Sequence, residues 1–246
     1  MGNYGMPYMG NKSTIAEKLI ELLPSGKRFV DLFGGGGAIS HCALLSGKYE
    51  SVYYNEFNPL VVNLLKRAIN GEFNYDRFKP EFITREMFFE LKDKDGYVAY
   101  IWSFGNNPEK GYMFSKDIEK QKQALHNAVV FADYSEAIKI HKDFEKIQGK
   151  TIKDRRLSLK KIVNESIKEL SWLQQLEQLQ QLQQLERLQQ LERLQQLERL
   201  ERLQQLELNC GTYLDYEYKD GDIVYCDPPY ENTAKYCKDG FDHKEF

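Results

Sequence analysis

"RFVDLFGGGGAIS", residues 28–40, decides the fold. Phe29, Val30, Asp31 and Leu32 make a short, largely apolar run of the kind that a strand buried on both faces requires. Gly34 to Gly37 follow, and successive glycines let the backbone turn tightly and approach a ligand before a helix begins near Ala38. A strand, a glycine loop and a helix in that order predict an α/β fold with a nucleotide-type site at the strand's carboxyl end. The dinucleotide fingerprint fits less well. Gly35 and Gly37 can serve as its first two glycines, but Ser40 stands where the third belongs, which weakens an NAD reading.

Working outward, "SVYYNEFNP", residues 51–59, reads as a second strand ending in Asn55 and Glu56. Glu56 lies 19 residues after Gly37, where an acid at a strand tip can accept both hydroxyls of a bound ribose. It can equally be a loop acid before the helix "LVVNLLKRAI", which Asn58 and Pro59 cap. Upstream, "PYMGNKSTIAEKLIELLP" reads as a loop and then a helix. Thr14 and Glu17 have the spacing of a capping box, with Ile15, Leu19, Leu22 and Leu23 on one face. The loop from Tyr8 to Lys12 offers a ring, a glycine and a cation, suited to a carboxylate- or adenine-bearing ligand.

Near the other end, "DIVYCDPPY", residues 222–230, repeats the logic of the opening stretch. Ile223 to Cys226 read as the end of a strand covered on both faces, which puts Asp227 at a carboxyl end. Pro228 and Pro229 stop the ladder, because neither has an N–H to give it, and they hold the backbone rigid and open. In open α/β sheets that edge is where ligands bind. Taken alone, the stretch could also be a Pro-Pro turn with a surface Asp.

Together, "YMGNKS", "DLFGGGG" with Phe33, Gly35 and Gly37 as F-x-G-x-G, "NEFN" and "DPPY" resemble the D12 class of DNA adenine-N6 methyltransferases. Glycine loop first and DPPY last, with a recognition segment between, is the order of the family's α group. The resemblance implies a Rossmann-like methyltransferase sheet that uses S-adenosylmethionine. It implies a cofactor site of Tyr8, Lys12, Asp31, Phe33, Gly35, Gly37, Glu56 and Asp227, with Glu56 replacing the usual Asp on the ribose. It also implies catalytic roles for Asp227, Pro228 and Tyr230. The chemistry of the motif agrees. An exocyclic amino nitrogen has its lone pair delocalised into the ring, and acceptors on its N–H groups restore its nucleophilicity. Asp227 and the Pro228 carbonyl supply such acceptors, and Tyr230 supplies a plate for a flipped base. Cytosine N4 needs the same acceptors; motif order favours adenine. A degenerate, non-catalytic binding module is a further reading.

The implied organisation is a cofactor half over residues 1–74, a mainly helical DNA-recognition region over 75–169, a Leu-x-x insert over 170–207 and a catalytic half over 208–246. The chain ends at "YCKDGFDHKEF", where the family continues into further strands, so the expectation is a sheet lacking its C-terminal part. The implied partner is double-stranded DNA. A formal charge of -3 over 246 residues gives no overall basic footprint, so DNA must be met by a local patch. "KTIKDRRLSLKK", residues 150–161, carries six Lys or Arg against one acid and fits phosphate contacts or, equally, a solvated helix face. In "IWSFGNN", Asn106 and Asn107 can read adenine or simply make a turn.

Cys42, Cys210, Cys226 and Cys237 show no metal-ligand spacing, and reduced, buried thiols are expected. With no metal implied, no apolar run of membrane-spanning length and no leader-like start, the reading is a soluble, cytoplasmic protein. Leucine recurs at every third position from Leu170 to Leu206. On an α-helix each such step slips the row back by about 60°, so a long helix would turn leucines in every direction. A 3₁₀ helix would align them but rarely runs far. The expectation is a low-complexity insert, helical or solenoid, on the recognition region.

Overall fold

The computed structural model describes residues 4–74, 78–168 and 186–229. The chain divides into two compact units. The first comprises Met1–Gly71, Lys94–Gly96 and Arg199–Phe246, and the second Glu72–Asp93 and Tyr97–Glu198.

The first unit is built on α1 (Ala16–Leu22), β1 (Gly26–Asp31), α2 (Ala38–Ser46), β2 (Tyr49–Glu56) and α3 (Pro59–Ile69), joined much later in the chain by β3 (Glu207–Cys210) and β4 (Asp222–Tyr225). The four strands form one parallel sheet in the order β3-β2-β1-β4. This is the α/β architecture expected from residues 28–40. Phe29 and Val30 are fully buried, and α2 starts at Ala38 after a left-handed Gly37 with φ of 70°. Asn58 caps α3 as read, its side chain accepting the Leu60 N–H at 3.0 Å.

Three details differ from the expectation. The Thr14 and Glu17 capping box does not form: α1 begins after Ile15 with no side-chain cap, and the Tyr4 hydroxyl donates to Glu17 at 2.6 Å instead. The helix phase differs too. Ala16 and Ile20 are buried while Ile15 and Leu22 are exposed, because the face that packs against α2 carries the Ala16 and Ile20 positions, one turn apart. β4, expected to be covered on both faces, is half-buried along its length. Among the described residues it pairs with β1 alone, so one edge and part of its faces stay accessible. Cys226 therefore lies exposed, as does Cys210, while Cys42 is buried; Cys237 falls outside the described residues.

The second unit is helical among the described residues: α4 (Arg85–Leu91), α5 (Gly96–Ile101), α6 (Lys116–Phe131), α7 (Ala137–Ile140), α8 (Ile152–Lys168) and α9 (Gln189–Glu198). Leu125 and Val129 of α6, Leu159 and Val163 of α8, and Leu188 and Leu191 share its core.

The leucine triplets behave differently from a long helix. Leu188, Leu191, Leu194, Leu197, Leu200 and Leu203 are all buried. Over α9 the row Leu191, Leu194, Leu197 sweeps about 120°, still one broad face. The helix then tightens to 3₁₀ over Arg199–Leu203, where a spacing of three keeps Leu200 and Leu203 aligned. Leu188 and Leu191 belong to the core of the helical unit, whereas Leu200 and Leu203 are buried in the sheet unit, where Arg199–Leu203 packs on α3 and α2. Residues 170–185 of the repeat lie outside the described residues.

Candidate active site

The carboxyl ends of the parallel strands gather the polar residues that the sequence singled out. Asp31 closes β1 and pairs in register with Tyr54 of β2 and Tyr225 of β4. Glu56 closes β2, and Asp227 follows β4 by two residues. Strand geometry alone thus brings three carboxylates from distant parts of the chain to one edge.

The N-terminal loop supplies the cation. Lys12 Nζ lies 2.5 Å from Asp227 Oδ2, with both side chains partly buried. Residues more than two hundred positions apart form this pair because the loop is braced onto the glycine turn. Asn11 donates to the Met6 carbonyl at 2.6 Å and accepts the Ser13 N–H at 2.8 Å. The Met6 N–H donates to the Gly36 carbonyl at 2.8 Å. Gly5 makes this approach feasible: any Cβ there would stand 2.5 Å from the Gly36 oxygen. Tyr8 lies over the glycine loop, so close that a Cβ on Gly36 would come within 2.7 Å of Tyr8 Cβ.

Asp31 is buried. The Ser40 hydroxyl donates to its Oδ2 at 2.6 Å, while Oδ1 is buried with no hydrogen-bond partner. Burial pushes its carboxyl up to about 7 against the pull of the Ser40 bond, and the charges of Glu56 and Asp227 push the same way. The Glu56 carboxyl is also raised by burial, opposed by backbone N–H groups. Its oxygens accept from Gly35 N–H and from Asn58 N–H, each at 2.9 Å. Gly35 itself is left-handed, φ 47°. Phe33 makes an aromatic contact with Tyr213, ring centres 5.4 Å apart. Pro228 is half-buried beside Asp227; Tyr230 lies outside the described residues.

Sequence reasoning missed two contributors. Tyr54, fully buried, donates its hydroxyl to the Gly35 carbonyl at 2.7 Å. Asn55 ties β3 into the sheet, donating to the Gly211 carbonyl and accepting from Asn209. Their only sequence signal was their place at a strand end.

In the second unit the residues singled out for DNA are used otherwise. Arg155, inside the basic run, is buried and donates to the carbonyls of Val129, Val130, Gly149 and Lys150. It closes the C-terminal end of α6 rather than meeting phosphate, while Lys153, Lys160 and Lys161 remain exposed. Asn106 donates to the Tyr100 carbonyl from a left-handed backbone, φ 58°. Asn107 accepts the Glu109 N–H. Both make the turn.

A parallel sheet with a glycine turn after its first strand, and acids at successive strand ends, defines a Rossmann-like enzyme class whose site lies on the carboxyl edge. No curated protein matches the chain. The model of the D12 class N6 adenine-specific DNA methyltransferase family matches residues 8–245, and the chain belongs to that family. Its reaction is S-adenosylmethionine-dependent methylation of adenine N6 in DNA, which decides for adenine over cytosine and against NAD chemistry. Among the described residues no helix is long and apolar enough to cross a membrane, and no cluster of His, Cys, Asp and Glu is arranged to hold a metal ion.

Proposed function

We propose that methyl transfer to adenine N6 in double-stranded DNA takes place at this carboxyl edge, with Asp227 and the Pro228 carbonyl accepting the N–H groups of the target amine. The observation that carries the reading is the Lys12–Asp227 ion pair beside Asp31 and Glu56. It joins the N-terminal loop to the DPPY motif at the mouth of the glycine turn.

The residues fit S-adenosylmethionine. The glycine turn is a bare cradle, and the unpartnered Asp31 Oδ1 gives a buried acceptor behind it. The donor set matches the cofactor's groups: Glu56 for the ribose diol, the Lys12 cation for the carboxylate, Tyr8 for a flat contact, and the acids Asp31 and Asp227 for its positive charge. Phe33 acts indirectly in this reading, buttressing the turn through Tyr213, and Gly35 and Gly37 give the backbone its left-handed bends. When bound, S-adenosylmethionine supplies a methyl on a sulfonium that carries its own leaving group, so alignment is the main task left to the protein.

Asp227 then draws on one amine N–H and the Pro228 carbonyl on the other, returning lone-pair density to nitrogen as the methyl is approached, and the surplus proton of the methylated nitrogen leaves to solvent. The proline pair keeps these two acceptors from swinging away. Tyr230 stacks on the extruded base. The test is transfer of labelled methyl from S-adenosylmethionine to unmethylated DNA, with the product nucleosides separated. N6-methyladenine is the expected product, lost in Asp227→Ala; N4-methylcytosine, or undiminished transfer by Asp227→Ala, overturns the assignment.

A further inference from the structure

Four consecutive glycines are the least self-supporting backbone a protein can use, since each has more conformational freedom to lose than any other residue. Something outside Gly34–Gly37 must hold the turn. Part of that support is backbone: Gly34 N–H donates to the Asn55 carbonyl, and the Gly36 carbonyl accepts from Met6, each at 2.8 Å. Gly35 is held by side chains on both of its polar groups. Its N–H donates to Glu56 Oε2 at 2.9 Å, and its carbonyl accepts from the Tyr54 hydroxyl at 2.7 Å. Both side chains come from the last three residues of β2.

We propose that Tyr54 and Glu56 are paired positioning residues, a clasp that fixes the left-handed Gly35 and so holds the cofactor turn in its binding shape. The proposal rests on the reading that this turn receives S-adenosylmethionine. The glutamate explains itself under this proposal. Its Oε1 is anchored by Asn58 N–H at 2.9 Å, which leaves Oε2 aimed back across the edge at Gly35. An aspartate, the usual residue of the resemblance, is shorter by one carbon–carbon bond, about 1.5 Å, and cannot span both N–H groups. Tyr54 is fixed in turn by burial: its ring lies under Gly34, where a Cβ would stand 2.1 Å away. Strand, ring and turn interlock, and the hydroxyl has no alternative place to go.

The test uses Glu56→Asp and Tyr54→Phe in the full chain, each deleting one arm with little change of bulk. Two quantities are read: KM for S-adenosylmethionine against kcat, and the hydrogen-exchange rate of the Gly35 amide without cofactor. Each variant should raise KM about fivefold to tenfold, the effect of one lost hydrogen bond of ordinary net strength, with kcat nearly unchanged. Gly35 exchange in Glu56→Asp should quicken by at least about tenfold. If Glu56→Asp equals the wild type in KM and exchange, the carboxylate serves the ribose alone and the clasp is overturned. If Tyr54→Phe lowers Tm but leaves KM and exchange unaltered, Tyr54 is packing only and its arm falls. Should the wild type transfer no methyl, the cofactor reading fails by itself. The exchange arm then decides the clasp: slow exchange lost in the variants upholds it, and equal rates overturn it.

Discussion

At the carboxyl edge of the sheet, the polar residues that stand out in the sequence converge: Asp31, Glu56 and Asp227 leave three parallel strands side by side, and Lys12 is brought to them. In the helical unit, several of the polar residues that stand out are absorbed, although Lys153, Lys160 and Lys161 stay exposed. Arg155 spends its guanidinium on four backbone carbonyls, and Asn106 and Asn107 stabilise their own turn. The difference lies in what sets direction. A residue at a strand end inherits its position from the ladder, so its neighbours can be named once the strands are known. A residue on a helix takes its direction from the helix phase, and that is settled by packing.

This contrast can be broken or sharpened by experiment. The largest effect belongs to the edge. Asp227→Ala should reduce methyl transfer by about a hundredfold to a thousandfold, the scale for losing one preorganised polar contact to a reacting group, while the Tm moves little because a partly exposed pair contributes only about 1 kcal/mol or less. A collapse of the fold in circular dichroism would instead make Asp227 a structural residue, like Arg155.

Next comes the converse in the helical unit. Arg155→Met should cost about 3 kcal/mol in urea denaturation, since it strips buried carbonyls of their donor. A neutral result, accompanied by weaker DNA binding, would return Arg155 to the phosphate contacts that its sequence suggested.

A smaller effect concerns pH. His126, fully buried, has Nε2 2.8 Å from the Pro80 carbonyl, and burial holds its pKa down to about 4. Because the folded value lies below the ordinary 6.5, the unfolded chain takes up the proton first. The contribution of His126 is fully present above that ordinary value and is lost as pH falls toward 4. Between pH 7 and pH 5 this amounts to about 2 kcal/mol. His41 in the first unit is held neutral by burial in the same way. The buried Asp31 carboxyl, raised to about 7, takes up its proton in the folded state over the same range and offsets about one histidine. His126→Phe should therefore reduce the acid-side loss between pH 7 and pH 5 by about 2 kcal/mol. An unchanged slope would place the acid sensitivity in the sheet unit alone.

The smallest effect tests the exposed remainder of the basic run. Lys160→Ala with Lys161→Ala should weaken DNA binding about threefold to tenfold at low salt and reduce the salt slope by up to about 2. Identical binding isotherms would leave all of α8 on the side of structure.

Much of the first unit was legible beforehand for a local reason. An apolar run, a glycine turn and an asparagine cap each act within a few residues, so β1, the start of α2, the end of β2 and the cap of α3 could be placed from the letters alone. The misreadings were all nonlocal. Thr14 and Glu17 have the spacing of a capping box, but Tyr4 from the preceding loop takes Glu17. The leucine triplets contradict helix periodicity in isolation, and they are buried because the α-helical part lies in the core of the helical unit while the 3₁₀ part packs in the sheet unit. The half-buried state of β4 follows from its neighbours in the sheet, which four residues cannot announce.

The sequence by itself determined the strands, the glycine turn and the set of acids at strand ends, because hydrogen-bond ladders and glycine conformations are short-range facts. Tertiary structure alone decided which charges meet and which polar groups are consumed. Lys12 finds Asp227, and Tyr54 finds Gly35, because the N-terminal loop and β2 are folded onto a turn that neither stretch encodes. Side-chain partners depend on where whole elements come to rest, and in a packed interior that is fixed by every neighbour at once.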